Sequence, residues 1–225
     1  MPAPQTSRML GGAMMKRQLH VVYILDRSGS MNAGGKIQAL NTAMAESLPL
    51  LRSAAADNVS ADVFVRAALF SDGAAWVDGQ ALPVDRFRWA PISAHGLTDL
   101  GAALHLVAEA METPPMPARA LTPVLVLVSD GQPTDDYRVG LRALLASTWG
   151  PRALRLAVAI GQDADREVLQ EFIGHDSPHR PVQANDPEAI VNSIQWATTA
   201  ATRMAAGTLA TPMADEDIFV LDDDE

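Results

Sequence analysis

The segment HVVYILDRSGSMNAGGK, His20 to Lys36, passes from an unbroken apolar run into an aspartate, two serines and a glycine-rich loop. The run Leu19–Leu25 is short, β-branched and unalternating, which suits a strand covered on both faces, as in a parallel sheet. Leu121–Val128 and Leu154–Ile160 have the same character, and Val59–Phe70 is compatible with it. A buried strand has no packing need to finish on a charge followed by two hydroxyls. Asp26, Ser28 and Ser30 therefore mark the end of the first strand as a place where something is held.

Helical patterns separate these runs. Ile37, Leu40, Met44, Leu48 and Leu51 step by three and four residues, on one stripe, and Pro49 is expected to kink or shorten that helix near its end. A second helix is expected from Thr98 or Asp99 through Leu100, Leu104 and Val107 to the proline-rich TPPMP. A third is expected to open at Asp135 or Asp136 and run to Trp149, and a short fourth from a cap at Asp163 or Asp165 through Phe172. Asp186 before Pro187 starts the last, which would bury Ile190 and Ile194. Strand–helix alternation predicts an α/β, Rossmann-like three-layer sandwich with a mostly parallel central sheet. Residues 72–91 break the pattern. Asp78-Gly79 there is a turn signal between β-prone pieces, predicting a hairpin or one antiparallel edge strand.

The chain has 225 residues and a formal net charge of −10, unevenly spread. Seven acids and no bases lie between Asp215 and Glu225, leaving 20 acids against 17 bases elsewhere. We expect a loose leader over residues 1–17, with Met14 or Met15 as possible starts, one folded body over 18–206, and a flexible acidic tail over 207–225. Neither body nor tail has the basic stripe that phosphate backbones require, so nucleic acid and anionic membranes are poor partners. There are no cysteines, which excludes disulfides, thiolate zinc sites and thiol nucleophiles. No secretory signal or membrane-spanning run is recognisable, and a cytoplasmic setting is the expectation.

Functional groups in open parallel sheets gather where strands end. Two apolar runs end on aspartate, Asp26 and Asp130, and adjacent strands would bring these carboxylates to one edge. Ser28 and Ser30, at a spacing of two, can turn inward with Asp26, and Thr98 at a helix mouth offers a third hydroxyl. Two carboxylates and three hydroxyls are hard oxygen donors suited to Mg²⁺, with Mn²⁺ or Ca²⁺ as alternatives. Other motifs fail. Gly34-Gly35-Lys36 lacks the remaining residues of a phosphate loop, and His175 and His179 have no further zinc ligand nearby. Ser28 lacks a nucleophile elbow and a base, whereas a phosphatase or phosphotransfer enzyme using Asp26 stays open as an alternative.

DRSGS at Asp26–Ser30 resembles the DxSxS signature of von Willebrand factor A domains, and Thr98 and Ser129-Asp130-Gly131 follow in that family's order. The resemblance covers roughly Arg17 to Ala206. It implies a metal-ion-dependent adhesion site with Ser28, Ser30 and Thr98 as hydroxyl ligands and Asp26 and Asp130 binding directly or through water. It further implies no enzyme but a protein-binding module, in which a partner's Asp or Glu completes the metal shell. YILDRSGSM, LTDLGAAL and VLVSDGQPTDD resemble the compact bacterial TerY-type proteins of tellurium-resistance and stress operons. A subunit of an AAA+ ATPase machine, of chelatase or MoxR type, is the alternative setting. The tail's DIFVL, among acids, is a candidate docking segment, with a solubilising end as the simpler expectation.

Overall fold

The structure, a computed structural model, describes residues 16–58, 60–130, 132–162 and 164–205. Nearly all of the expected leader, the tail and Asp163 lie outside the described residues. Among those described, no helix is long and apolar enough to cross a membrane.

Among the described residues, seven strands form one sheet: β1 (Arg17–Asp26), β2 (Ala61–Ser71), β3 (Gly73–Trp76), β4 (Leu82–Pro83), β5 (Val124–Ser129), β6 (Leu154–Ile160) and β7 (Val182–Ala184). Their order is β3-β2-β1-β5-β6-β7, with β4 also on β2. All pairings among β2, β1, β5, β6 and β7 are parallel. The antiparallel edge consists of two short pieces, β3 and β4, each paired with β2. The reversal that makes the hairpin therefore falls at Asp72, rather than at the Asp78-Gly79 turn signal.

Among the described residues, five α-helices cover the sheet: α1 (Lys36–Asp57), α2 (Leu100–Ala110), α3 (Tyr137–Ala146), α4 (Arg166–Ile173) and α5 (Pro187–Ala205). Successive side chains of a strand point to opposite faces. Thus Leu19, Val21, Tyr23 and Leu25 join the core under α1 and α5, while Val22 and Ile24 join the core under α2, α3 and α4. Tyr23 ties its layer down. The Thr198 hydroxyl donates to the Ile194 carbonyl (2.8 Å), so the buried Tyr23 hydroxyl is the donor to Thr198 Oγ1 (2.8 Å).

Two helix boundaries differ from expectation. Pro49 lies inside α1, which continues to Asp57. Its ring sits on the exposed side between buried Leu48 and Leu51, whose packing offsets the roughly 3 kcal/mol an interior proline costs. Helix α3 ends at Ala146 instead of Trp149, because Ser147 turns extended and returns its N–H and its hydroxyl to the Leu144 carbonyl. The expected caps at Asp165 and Asp186 form: Asp165 accepts from Glu167 and Val168 N–H, and Asp186 from Ala189 N–H.

His20 interrupts the apolar run on the α2 face. It is buried, stacks on Phe64 at 5.4 Å and contacts Gln18 Oε1 at 3.0 Å. Burial, helped by the Arg66 charge, lowers its pKa to about 4. Because the folded value lies below the ordinary one, the unfolded chain binds more protons between the two. His20 therefore costs stability as pH falls from about 6.5 towards 4, on the order of 2–3 kcal/mol at the limit. His20→Phe should lose less stability than wild type over that interval, read as a growing gap between their urea midpoints. A constant gap would show that His20 does not resist protonation.

Candidate functional site

The C-terminal ends of β1 and β5 lie side by side, with Leu25 opposite Val128, so the next residues, Asp26 and Ser129, meet at one edge. Asp26 is fully buried, and Ser28 and Asp130 are buried beside it at 1% and 2% exposure. The turn after β1 is set by Asp26 itself. Ser28 N–H donates to Asp26 Oδ1 at 2.7 Å, curling the chain so that the Ser28 and Ser30 hydroxyls sit 3.0 Å apart. Residues 29–35 continue as 3-10 turns, interrupted where Gly34 and Gly35 take positive φ, and lead directly into α1. That interruption needs glycine, since side chains rarely tolerate this backbone region.

Thr98 is buried on the loop before α2. Its loop is bound to the first by Gly29 N–H to the Gly96 carbonyl (3.0 Å) and His95 N–H to the Arg27 carbonyl (2.8 Å). The loop after β5 holds it from the other side. Thr134 Oγ1 accepts from Thr98 N–H at 3.0 Å, and Thr134 N–H donates to the Thr98 carbonyl at 2.9 Å. Asp135, from the same loop, accepts from Gly101 and Ala102 N–H, both at 2.9 Å, and so caps α2 from outside its own sequence. Asp99 accepts from Gly73 N–H (2.7 Å) and Thr134 Oγ1 (3.1 Å), tying in the β2–β3 turn. All three segments named from sequence thus meet at one sheet edge, cross-linked by Thr134, Asp135 and Asp99.

Sequence reasoning took Asp99 and Asp135 only as possible helix starts and Ser129 only as part of the Ser129-Asp130-Gly131 motif, and it missed Thr134. The Ser129 hydroxyl donates to Asp26 Oδ2 at 2.6 Å. Its signal was the alternation of β1 and β5, which puts Asp26 and Ser129 on the same face of the sheet, after Val22 and Ile24 and after Leu125 and Leu127. The cross-loop roles of Thr134 and Asp135 had no local signal.

The electrostatics of this edge are unbalanced. Burial pushes the Asp26 carboxyl up to about 6, with Asp130 adding repulsion against the lowering effect of its hydrogen bonds, and among the described residues no cation offsets this. Among the described residues, Asp130 Oδ1 is buried without a hydrogen-bond partner. Buried charge is costly unless paired or metal-bound. Among the described residues no three His, Cys, Asp or Glu side chains surround one point, so hydroxyls, backbone carbonyls or water would have to complete the shell of a cation here. Two carboxylates, one with an orphaned oxygen, beside serine and threonine hydroxyls fit a hard divalent cation.

Comparison with known proteins adds to this. The model of the von Willebrand factor type A domain family matches residues 83–197, which include Thr98 and Asp130 and begin after the Asp26 loop. No curated protein matches the sequence. Among solved structures, similar folds include a von Willebrand factor type A protein from Catenulispora acidiphila (TM-score 0.62, 19% identity, 83% of this chain and 43% of that one). The ArnB paralog VWA2 from Sulfolobus acidocaldarius is another (TM-score 0.58, 19% identity, 81% and 45%). A third is the pilus adhesin SpaC from Lactobacillus rhamnosus GG, in its open conformation (TM-score 0.65, 14% identity, 84% and 30%). The chain spans less than half the length of each.

Proposed function

This chain belongs to the von Willebrand factor type A domain family, and from that premise we propose that it is a non-enzymatic, metal-dependent protein-interaction module. Asp26, Ser28, Ser30, Thr98 and Asp130 would hold Mg²⁺, or Mn²⁺ or Ca²⁺ in its place. The metal would supply a Lewis-acid position for an Asp or Glu of the partner. The chain's own residues do the rest. Asp26 folds the first loop through Ser28 N–H, Ser129 orients Asp26, and Thr134 and Asp135 fix the Thr98 segment. The observation that carries the reading is the orphaned, buried Asp130 Oδ1 next to an Asp26 that no cation balances.

The resemblance to TerY-type proteins extends the reading to a bacterial cytoplasmic complex formed under tellurite or other chemical stress. A pull-down with the full chain, in Mg²⁺ against EDTA, tests the function. We expect partners retained in Mg²⁺, released by EDTA and lost with Asp26→Ala. Partners retained equally under all three conditions would refute metal dependence. Recovery of an AAA+ ATPase would instead mark the chain as a subunit of such a machine.

A further inference from the structure

Helix α2 covers the upper part of its sheet face but not the N-terminal halves of β1 and β2. Where Val22, Ile24, Ala68 and Phe70 form core above, the same face below carries His20, Phe64 and Arg66, with Trp76 of β3 beside Ala68 at the boundary. Between these residues and the last turns of α2 lies a cavity of about 460 Å³. That volume falls within the range of small-molecule sites. By strand rise its floor at His20 is roughly 20 Å from Asp26, so it is separate from the metal edge.

The cavity has three distinct kinds of wall. One is aromatic: His20 stacks on Phe64 with 16° between the rings, and Trp76 lies under the Arg66 guanidinium, 3.6 Å from the ring centroid. Facing it is an aliphatic wall from Leu106, Met111 and Met116. The third is a cation with little to satisfy it. Arg66 donates from Nη2 to the Gly79 carbonyl at 2.9 Å, and among the described residues its Nε is buried without a hydrogen-bond partner and it forms no ion pair within 4.0 Å. Asp78 is near enough to favour the charge, yet burial outweighs it and lowers the guanidinium's pKa. A partly buried arginine of this kind is complemented by an anion, and its planar fork is matched to a carboxylate. Exposed Glu109, also lining the cavity, opposes a multiply charged ligand such as a phosphate ester.

We propose that this cavity binds a flat aromatic ring bearing a single carboxylate, the ring between the Phe64–Trp76 wall and α2 and the carboxylate on Arg66. A free aromatic acid and an aromatic residue at a peptide's C-terminus share this chemistry.

The test is a calorimetric titration of the full chain with indole-3-acetate, with neutral indole, and with a short peptide ending in Trp, as free acid and as amide. Saturable binding of at least one carboxylate probe, tighter than about 1 mM, is expected. Indole or the amidated peptide should bind about tenfold more weakly or worse. Arg66→Gln should weaken the acid by about tenfold and leave indole unchanged. Glu109→Gln, at an exposed position that does not endanger folding, should strengthen the acid by about two- to fivefold. Binding of only the free acid identifies a small-molecule site, and binding of only the peptide acid identifies a peptide-end site. Absence of saturable binding for both acids overturns the proposal, as does binding indifferent to the carboxylate or to Glu109→Gln.

Discussion

Asp26→Asn should yield a metal-free protein that melts higher than the wild type and no longer responds to Mg²⁺. The side chain is fully buried, has no cationic partner among the described residues and faces a second carboxylate. Because its folded pKa is raised to about 6, the stability it allows is complete below the ordinary carboxylate range. That stability is lost as pH rises through about 6, so near neutrality the metal-free fold carries the cost of the charge. Asparagine keeps the acceptor for Ser28 N–H, and its amide can donate to a rotated Ser129 hydroxyl, so the local turn survives. Removing the charge should contribute about 1–2 kcal/mol, or about 2–8 °C in melting temperature. The same charge is what a divalent cation would use, so the gain comes with loss of metal response. A lower melting temperature for Asp26→Asn in EDTA would show that the charge is compensated in a way these contacts do not reveal.

Gly140→Ala should be among the most damaging single-methyl changes in the domain. Helices α2 and α3 cross where Gly140 meets Gly101, and a Cβ on Gly140 would lie within 3.0 Å of the Gly101 carbonyl carbon, α-carbon and oxygen. All three are backbone atoms, which cannot rotate away. Alanine normally gains about 1 kcal/mol over glycine inside a helix. Overpacking typically costs about 1–3 kcal/mol, and two rigid backbones put this site at or above the upper end. The net should be a loss of about 2 kcal/mol or more, or at least about 4–8 °C. The displaced helix α2 begins just after Thr98 and is capped by Asp135, so Mg²⁺ affinity should fall as well. Gly79→Ala is the control, with no heavy atom within 4 Å of the added carbon, and should change neither property.

Much of this architecture was readable from local pattern. The runs that became β1, β5 and β6 were buried enough to announce themselves, and their terminal aspartates located the edge at which Asp26 and Asp130 now stand. Strand β7 was missed because its three residues, Val182–Ala184, pair only with β6 and carry no periodicity of their own. Pro49 misled because propensity is local, whereas the burial of Leu48 and Leu51 that sustains α1 is tertiary. The same limit hid Asp135, which caps a helix 34 residues away in sequence. The reading of β1 as covered on both faces holds for its upper half. His20 and Arg66, both polar interruptions of apolar runs, mark where cover on the α2 face gives way to a cavity.

The central claim is that Asp26, Ser28, Ser30, Thr98 and Asp130 form one hard-cation site. Calorimetric titration of the wild-type chain with Mg²⁺ and Mn²⁺, repeated on Asp26→Ala, Thr98→Ala and Asp130→Ala, tests it most directly. One cation per chain is expected in the wild type, abolished by either aspartate change and weakened by the threonine change. A wild type that takes up neither ion, or variants that bind as well as it does, would contradict it.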